Sequence, residues 1–134
     1  MRTIRTEAAP APVAGAPYSQ AAAAGLGEGE MVWVSGQLGI DPAEGSLVAD
    51  DVAQQTVLAL RHVAAILAEA GGGLADVVKT TVYLTDLAAD FPAMNEVYGH
   101  AFSGSAPARA TVGVAALPLG ARVEIEAVAV IRPR

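Results

Sequence analysis

Arg109, Glu124 and Glu126 have the residue types and spacing for chemistry. They lie in the stretch 107–130, PARATVGVAALPLGARVEIEAVAV. It reads as two strands joined by a tight turn, Leu117-Pro118-Leu119-Gly120, with Pro presetting the first central position and Gly suiting the exit of a type I turn. Side chains alternate across a strand, so Glu124 and Glu126 share a face with Val128 and Val130. Val123, Ile125, Ala127, Ala129 and Ile131 form the other face. Past Glu126 both faces are apolar, which predicts cover on both sides. A carboxylate in such a strand needs a partner, and Arg109 is the candidate. If the turn pairs Ala116 with Ala121, Arg109 and Glu124 point to the same side; a one-residue slip reverses this. Two readings stay open. One is a satisfied ion pair with no chemistry. The other is a site in which arginine grips a carboxylate through a bidentate fork and glutamate orients or deprotonates water.

Three further residues join the candidate set. Tyr18 directly follows Pro17 in a chain that is only 4% aromatic; it either lines a site or fills a core gap. Ser35 and Gly36 interrupt a strand pattern. Glycine there marks a bulge or the close approach of another group, or a simple strand bend.

The elements that must position these residues follow from periodicity. Thr3 to Thr6 is a short polar strand. Residues 8–16 are rich in Ala and Pro and stay extended. Residues 21–30 hold a hairpin loop in their middle, and Met31 to Ser35 is a strand. Asp41 to Gly45 is a turn. A helix is expected from Val52 to Ala70, capped by Asp51 with Gln54 in a capping-box position. Its apolar stripe is Ala53, Thr56, Val57, Leu60, Val63, Ala64 and Leu67, and Gly71-Gly72-Gly73 ends it. His62 flanks the stripe and is assigned to the solvated surface. Val78 to Thr85 alternates strictly and puts Val78, Thr80, Val82 and Leu84 on one face, with Lys79 on the solvated one. A second helix is expected from Asp90 as N-cap, with Pro92 in its first turn. Phe91, Met94, Val97, Tyr98, Ala101 and Phe102 form its core stripe, and His100 lies near its C-terminal end. Two helices against one sheet give an α+β, two-layer sandwich in a single domain, residues 1–134.

Composition narrows the function. The chain is 53% hydrophobic, mostly through small residues, and its mean hydropathy is +0.42. This predicts apolar surface buried between subunits. Net charge is −6 and no basic run occurs, which argues against nucleic acid as a partner. There is no cysteine, which excludes disulfides and thiolate chemistry. Prolines break the N-terminal apolar stretch, so it does not read as a signal peptide. No apolar run reaches the ~18 residues of a membrane span, and a cytoplasmic location is expected. No phosphate-binding glycine loop opens a helix, no His/Asp/Glu set has metal spacing, and no serine lies in a nucleophile elbow. Neither cofactor nor metal is expected. Arg109, Glu124, Glu126, Tyr18, Ser35 and Gly36 remain, a set suited to binding a small carboxylate and positioning a water.

With these residues in place the chain resembles the RidA family, also called YjgF or the reactive-intermediate deaminases. The resemblance rests on Pro107-Ala108-Arg109-Ala110-Thr111-Val112, Leu117-Pro118 and Val123-Glu124-Ile125-Glu126-Ala127. Ordered blocks around Pro17-Tyr18-Ser19-Gln20, Val34-Ser35-Gly36-Gln37, Asp76 to Val82 and Met94-Asn95-Glu96-Val97-Tyr98 extend it over nearly the whole chain. It implies a chorismate-mutase-like fold with a mixed sheet on two helices, and a homotrimer with sites between subunits. It also implies hydrolysis of enamines and imines such as 2-aminoacrylate to 2-keto acids and ammonia. By that resemblance Arg109 grips the substrate carboxylate, Glu124 positions the attacking water, and Tyr18, Ser35, Gly36, Asn95 and Thr111 line the site. Glu126 is then structural or at an interface, and a direct Arg109–Glu124 salt bridge is loose or absent.

The sequence departs from the family pattern at three places. Ala16 intervenes between Gly15 and Pro17, which shifts Tyr18. Thr111 stands where many relatives have Cys. The GLGEGE segment is longer than usual, with an expected effect on the cleft mouth. A non-catalytic trimeric binder or sensor of 2-keto acids, a chaperone-like role and a ribonuclease are the competing functions.

Overall fold

The computed structural model describes residues 1–133. The chain runs β1 (Arg2–Ile4), β2 (Ala21–Leu26), β3 (Gly29–Leu38), α1 (Val52–Glu69), β4 (Val77–Leu84), α2 (Leu87–Ala101), β5 (Ala108–Gly113) and β6 (Val123–Ile131). The six strands form one mixed sheet in the order β1-β2-β3-β6-β4-β5. Both helices cover one face of it, which is the expected α+β sandwich.

The expected pairing of the last two strands is wrong. β5 pairs parallel with β4, and β6 lies between β3 and β4, antiparallel to both. Helix α2 connects β4 to β5, and a helical crossover is what returns a strand parallel to its predecessor. Residues 114–122 then carry the chain back past β4. The turn at Leu117-Pro118-Leu119-Gly120 does form, but as a 3₁₀ turn with Leu119 at φ 60° and not in a hairpin.

Helix α1 starts where its cap dictates: the Asp51 carboxylate accepts the Gln54 N–H at 2.8 Å. Its buried side is rotated from the expected stripe. Ala59, Leu60, Val63, Ile66 and Leu67 face the sheet, whereas Val57 is 38% exposed. His62 is buried as well, correcting its assignment to the surface. Its Nε2–H donates to the Ile40 carbonyl at 2.6 Å, and burial lowers its pKa. Gln55 is fully buried and satisfied at both ends, donating to Ala49 O and accepting from Arg122 N–H. Where it lies, α1 rests directly on the backbone of Gly39.

Helix α2 begins one turn earlier than expected. Asp86 is the N-cap, accepting from Ala89 N–H at 3.1 Å. Asp90 is instead buried inside the helix, 3.4 Å from Arg122 Nη1, and Pro92 lies beyond the first turn. The core lies between the helices and the inner sheet face: Val63, Ile66, Leu67 and Met94 against Val32, Val82, Leu84, Val123, Ile125 and Ala129, all at most 1% exposed. Each of the larger ones contributes about 1.5–3 kcal/mol by leaving water. A bulge at the start of β4 shifts the register between Val77 and Lys79, and Val78 turns outward, against the strict alternation expected.

The other sheet face carries no layer. Trp33 pairs across to Val128 and Met31 to Val130. Trp33 is 45% exposed, so the expected second cover does not come from within the described chain.

Candidate active site

The bulge predicted at Gly36 is present. Register between β3 and β6 shifts between Val34 and Gln37, which leaves Ser35 and Gly36 as the irregular pair. Ser35 Oγ donates to Ser19 O at 2.6 Å, and Ser35 N–H to Gln20 O at 2.9 Å. These bonds bring the segment carrying Tyr18 against the bulge. Gly36 is required here by its neighbour: a Cβ at that position would fall 2.7 Å from Glu124 Cδ and closer still to Oε1. The Glu124 carboxylate thus lies over the bulge, on the open sheet face.

Tyr18 is 43% exposed and fills no core gap; its hydroxyl accepts the Val13 N–H at 2.8 Å. Ala16 caps a 3₁₀ turn over Val13–Gly15, its N–H donating to Val13 O at 3.0 Å, and Ala14 and Gly15 adopt φ 52° and 66°. Buried Gln20 holds this segment by bonding Thr6 on both sides and the carbonyls of Ala9 and Pro10. The GLGEGE segment does not border the bulge. It is a tight hairpin with Gly27 at φ 60°, at the opposite end of β3.

Arg109 lies elsewhere. It stands opposite Thr80 on β4, whose hydroxyl bonds Tyr98 on the helix side of the sheet. Its guanidinium lies 4.6 Å from the Tyr98 ring centroid and 5.7 Å from that of Phe91. Both contacts are cation–π in geometry. No ion pair joins it to Glu124 among the described residues, since the two residues occupy opposite faces of the sheet. The same-side parity expected from a hairpin is overturned with the hairpin.

Thr111 follows two positions on, on the helix side, and its buried hydroxyl has no hydrogen-bond partner among the described residues. Asn95 is exposed on α2, between Phe91 and Tyr98 in the row of that helix surface. The candidate residues therefore fall into two groups on opposite faces of the sheet. Arg109, Thr111 and Asn95 gather at the β5–α2 edge, and Glu124, Ser35, Gly36 and the Tyr18 segment gather at the bulge. An unpaired buried hydroxyl is costly. Thr111→Val should raise the stability of the ligand-free protein by about 1 kcal/mol, read as the urea midpoint, while weakening binding of a small carboxylate.

Sequence reasoning placed Phe91 and Tyr98 in the core and missed that they form the platform under Arg109. Helical spacing cannot distinguish an aromatic that packs inward from one whose ring also supports a cation. It also left Glu126 without a partner. The Tyr83 hydroxyl donates to Glu126 Oε1.

Burial first, and then the neighbouring Glu126, raise the Glu124 pKa above the ordinary carboxylate range. The folded protein keeps this proton to a higher pH than the unfolded chain does. The Glu124 contribution to stability is therefore full below the unfolded pKa and is lost as pH rises through the folded one. Thermal melts against pH should show wild type losing stability relative to Glu124→Gln across that window. Among the described residues, no three His, Asp or Glu side chains gather to hold a metal, and no helix is long and apolar enough to cross a membrane.

A six-stranded mixed sheet under two helices, with this bulge and this arginine, defines a chorismate-mutase-like α+β protein. Residues 6–131 match the family model described as Endoribonuclease L-PSP. The chain is 46% identical to the 2-iminobutanoate/2-iminopropanoate deaminase of Mus musculus over 98% of its length and 93% of that protein's. RidA from an Antarctic Psychrobacter superposes with TM-score 0.86 at 45% identity, covering 98% of this chain and 100% of that one. TdcF of E. coli, solved with bound serine, gives TM-score 0.86 at 40% identity over 99% and 100%. The chain belongs to the RidA/YjgF family.

Proposed function

We propose that this protein hydrolyses enamine and imine intermediates such as 2-aminoacrylate to 2-keto acids and ammonia. The observation that carries this reading is Arg109, a guanidinium spread on an aromatic platform and bonded to no described acidic side chain. An arginine so placed presents its planar fork to a carboxylate. The names of the relatives with deaminase activity, and the serine in TdcF, support a small amino-acid-like ligand.

We read the two groups as half-sites that association completes. In our reading three copies assemble through their open sheet faces, where Trp33, Met31, Val128 and Val130 lie. Arg109, Thr111 and Asn95 of one copy then face Glu124, Tyr18, Ser35 and Gly36 of the next. An apolar open face is the surface that a closed oligomer buries.

The chemistry asks little of the protein. The enamine gains a proton on its terminal carbon and becomes the iminium, the protonated imine, whose C=NH2+ is electrophilic. Arg109 fixes the carboxylate and so the position of the imine carbon. Glu124 takes a proton from water as the water oxygen bonds that carbon and the C=N electrons move to nitrogen. The carbinolamine then collapses: Glu124 returns that proton to the nitrogen, C–N breaks as ammonia leaves, and the hydroxyl gives its proton back to the Glu124 carboxylate as the keto C=O forms. Ribonuclease chemistry is disfavoured, because His62 is committed to Ile40 and His100 lies exposed at the end of α2. The net charge of −6 would also repel RNA.

The test generates 2-aminoacrylate with a dehydratase and follows pyruvate and ammonia. Faster release with this protein is expected. An unchanged rate, with keto acids still binding by calorimetry, would establish the non-catalytic binder instead.

A further inference from the structure

Glu124 has a neighbour that the reaction as written does not use. Glu124 and Glu126 are two apart on β6 and point to the same open face, about 7 Å apart along the strand. Tyr83 on β4 stands directly opposite Glu124, yet its hydroxyl donates diagonally to Glu126. The only other charged group on this face of β4 is Lys79. Its ammonium bonds Thr80 O at 2.9 Å and Thr81 Oγ1 at 3.3 Å, not either carboxylate. β3 contributes Ser35 and Gly36, which carry no charge. Within one copy, two carboxylates therefore lie side by side with no cation bonded to them among the described residues, and one hydroxyl serves only one of them; the cation that the assembly proposed above brings opposite Glu124 is Arg109 of the next copy, there to hold the substrate carboxylate.

We propose that Tyr83 and Glu126 form a positioning pair: the tyrosine hydroxyl fixes the Glu126 carboxylate beside Glu124 on the open face, and that fixed neighbour tunes Glu124 as the acid–base group of the site. A carboxylate held close beside it disfavours the charged form of Glu124. This adds to the effect of packing Glu124 onto Gly36. A residue that must accept a proton from water and return it to ammonia works best when it titrates near the working pH. Removing the anion makes Glu124 a weaker base. The inference rests on the role given above to Glu124.

The test reads Glu124 directly. Carboxyl ¹³C NMR titration follows its midpoint in the intact protein, beside the acid limb of the kcat/KM profile with 2-aminoacrylate. Glu126→Gln should move the midpoint down by about half a unit to one unit, as loss of a nearby like charge does. Tyr83→Phe should move it the same way by less, and the double variant no further than Glu126→Gln alone. The acid limb should move with the midpoint while KM stays put. If Tyr83→Phe lowers activity but leaves the midpoint in place, the tyrosine only packs, and the proposal fails. It fails equally if Glu126→Gln leaves the midpoint unmoved. Should Glu126→Gln not fold, Tyr83→Phe decides alone. A wild-type protein without deaminase activity would sink the functional assignment, while the NMR titration would still decide what the pair does to Glu124.

Discussion

Arg109→Ala and Glu124→Gln proteins, each inactive alone, should regain activity when unfolded together and refolded as a mixture. Each single change removes a group facing the substrate. Losing a partner of a desolvated carboxylate costs about 2–5 kcal/mol, and losing an acid–base group costs about 10²–10⁴ in rate. These predict kcat/KM at least about 30-fold below wild type for Arg109→Ala and at least about 10²-fold below for Glu124→Gln. Arg109→Lys should rescue little, since an ammonium lacks the planar fork. Recovery in the mixture follows from the sheet: one chain holds Arg109 against α2 and Glu124 on the far face. If each site takes one residue from each of two copies, random assembly of equal amounts leaves about a quarter of the sites intact. Activity near that fraction, measured beside each parent refolded alone, is the expected result. A mixture no more active than its parents would mean that the site lies within a single chain.

The sequence showed which residues matter more clearly than how they meet. The Asp51 cap, the alternation of β6 and the bulge at Gly36 are written locally, in neighbours a few positions apart, and all are present. The pairing of β5 with β4 is not local. It depends on α2 crossing over, and a Pro-Gly turn with strands on either side has the same sequence whether it closes a hairpin or ends a longer loop. The face of Arg109 went wrong with it, because parity passes through the assumed register. His62 was misplaced for a related reason. Its partner is a main-chain carbonyl 22 residues away, and backbone acceptors leave no signature in side-chain spacing. At α2 the cap expected at Asp90 is made instead by Asp86, four residues earlier, which places Pro92 beyond the first turn.

Two glycines three positions apart should respond differently to the same change. At Gly39 an added Cβ would lie 2.5 Å from Gln55 Cα and 2.8 Å from Gln55 O. Those are main-chain atoms of a helix, and relief requires moving α1 off the sheet. Overpacking of this kind costs about 3 kcal/mol, which for a domain of this size lowers Tm by roughly 10 °C. Gly39→Ala should therefore melt early, with whatever remains folded still active. At Gly36 the obstructing atoms belong to the end of the Glu124 side chain, which can swing away. Gly36→Ala should keep most of its Tm but lose about 10²-fold in kcat, as misplacement of a catalytic group by 1 Å does. Calorimetry and the 2-aminoacrylate assay on both variants separate the two outcomes. Equal losses of Tm would show that Glu124 is as rigidly held as the helix.

The strand order also bears on how the protein is made. The strand in the middle of the sheet, β6, is the last of the six in the chain, and about 85 residues separate the end of β3 from its start. A ribosome adding about 5–20 residues per second needs roughly 4 to 17 seconds to cross that gap. Throughout it β3 lacks the neighbour that will join it to β4, and β4 waits in the same way once it has been made, so their unpaired edges are open to other chains. Folding must wait for translation to reach the final strand. The yield of native protein is then set by how well those waiting edges are shielded during synthesis.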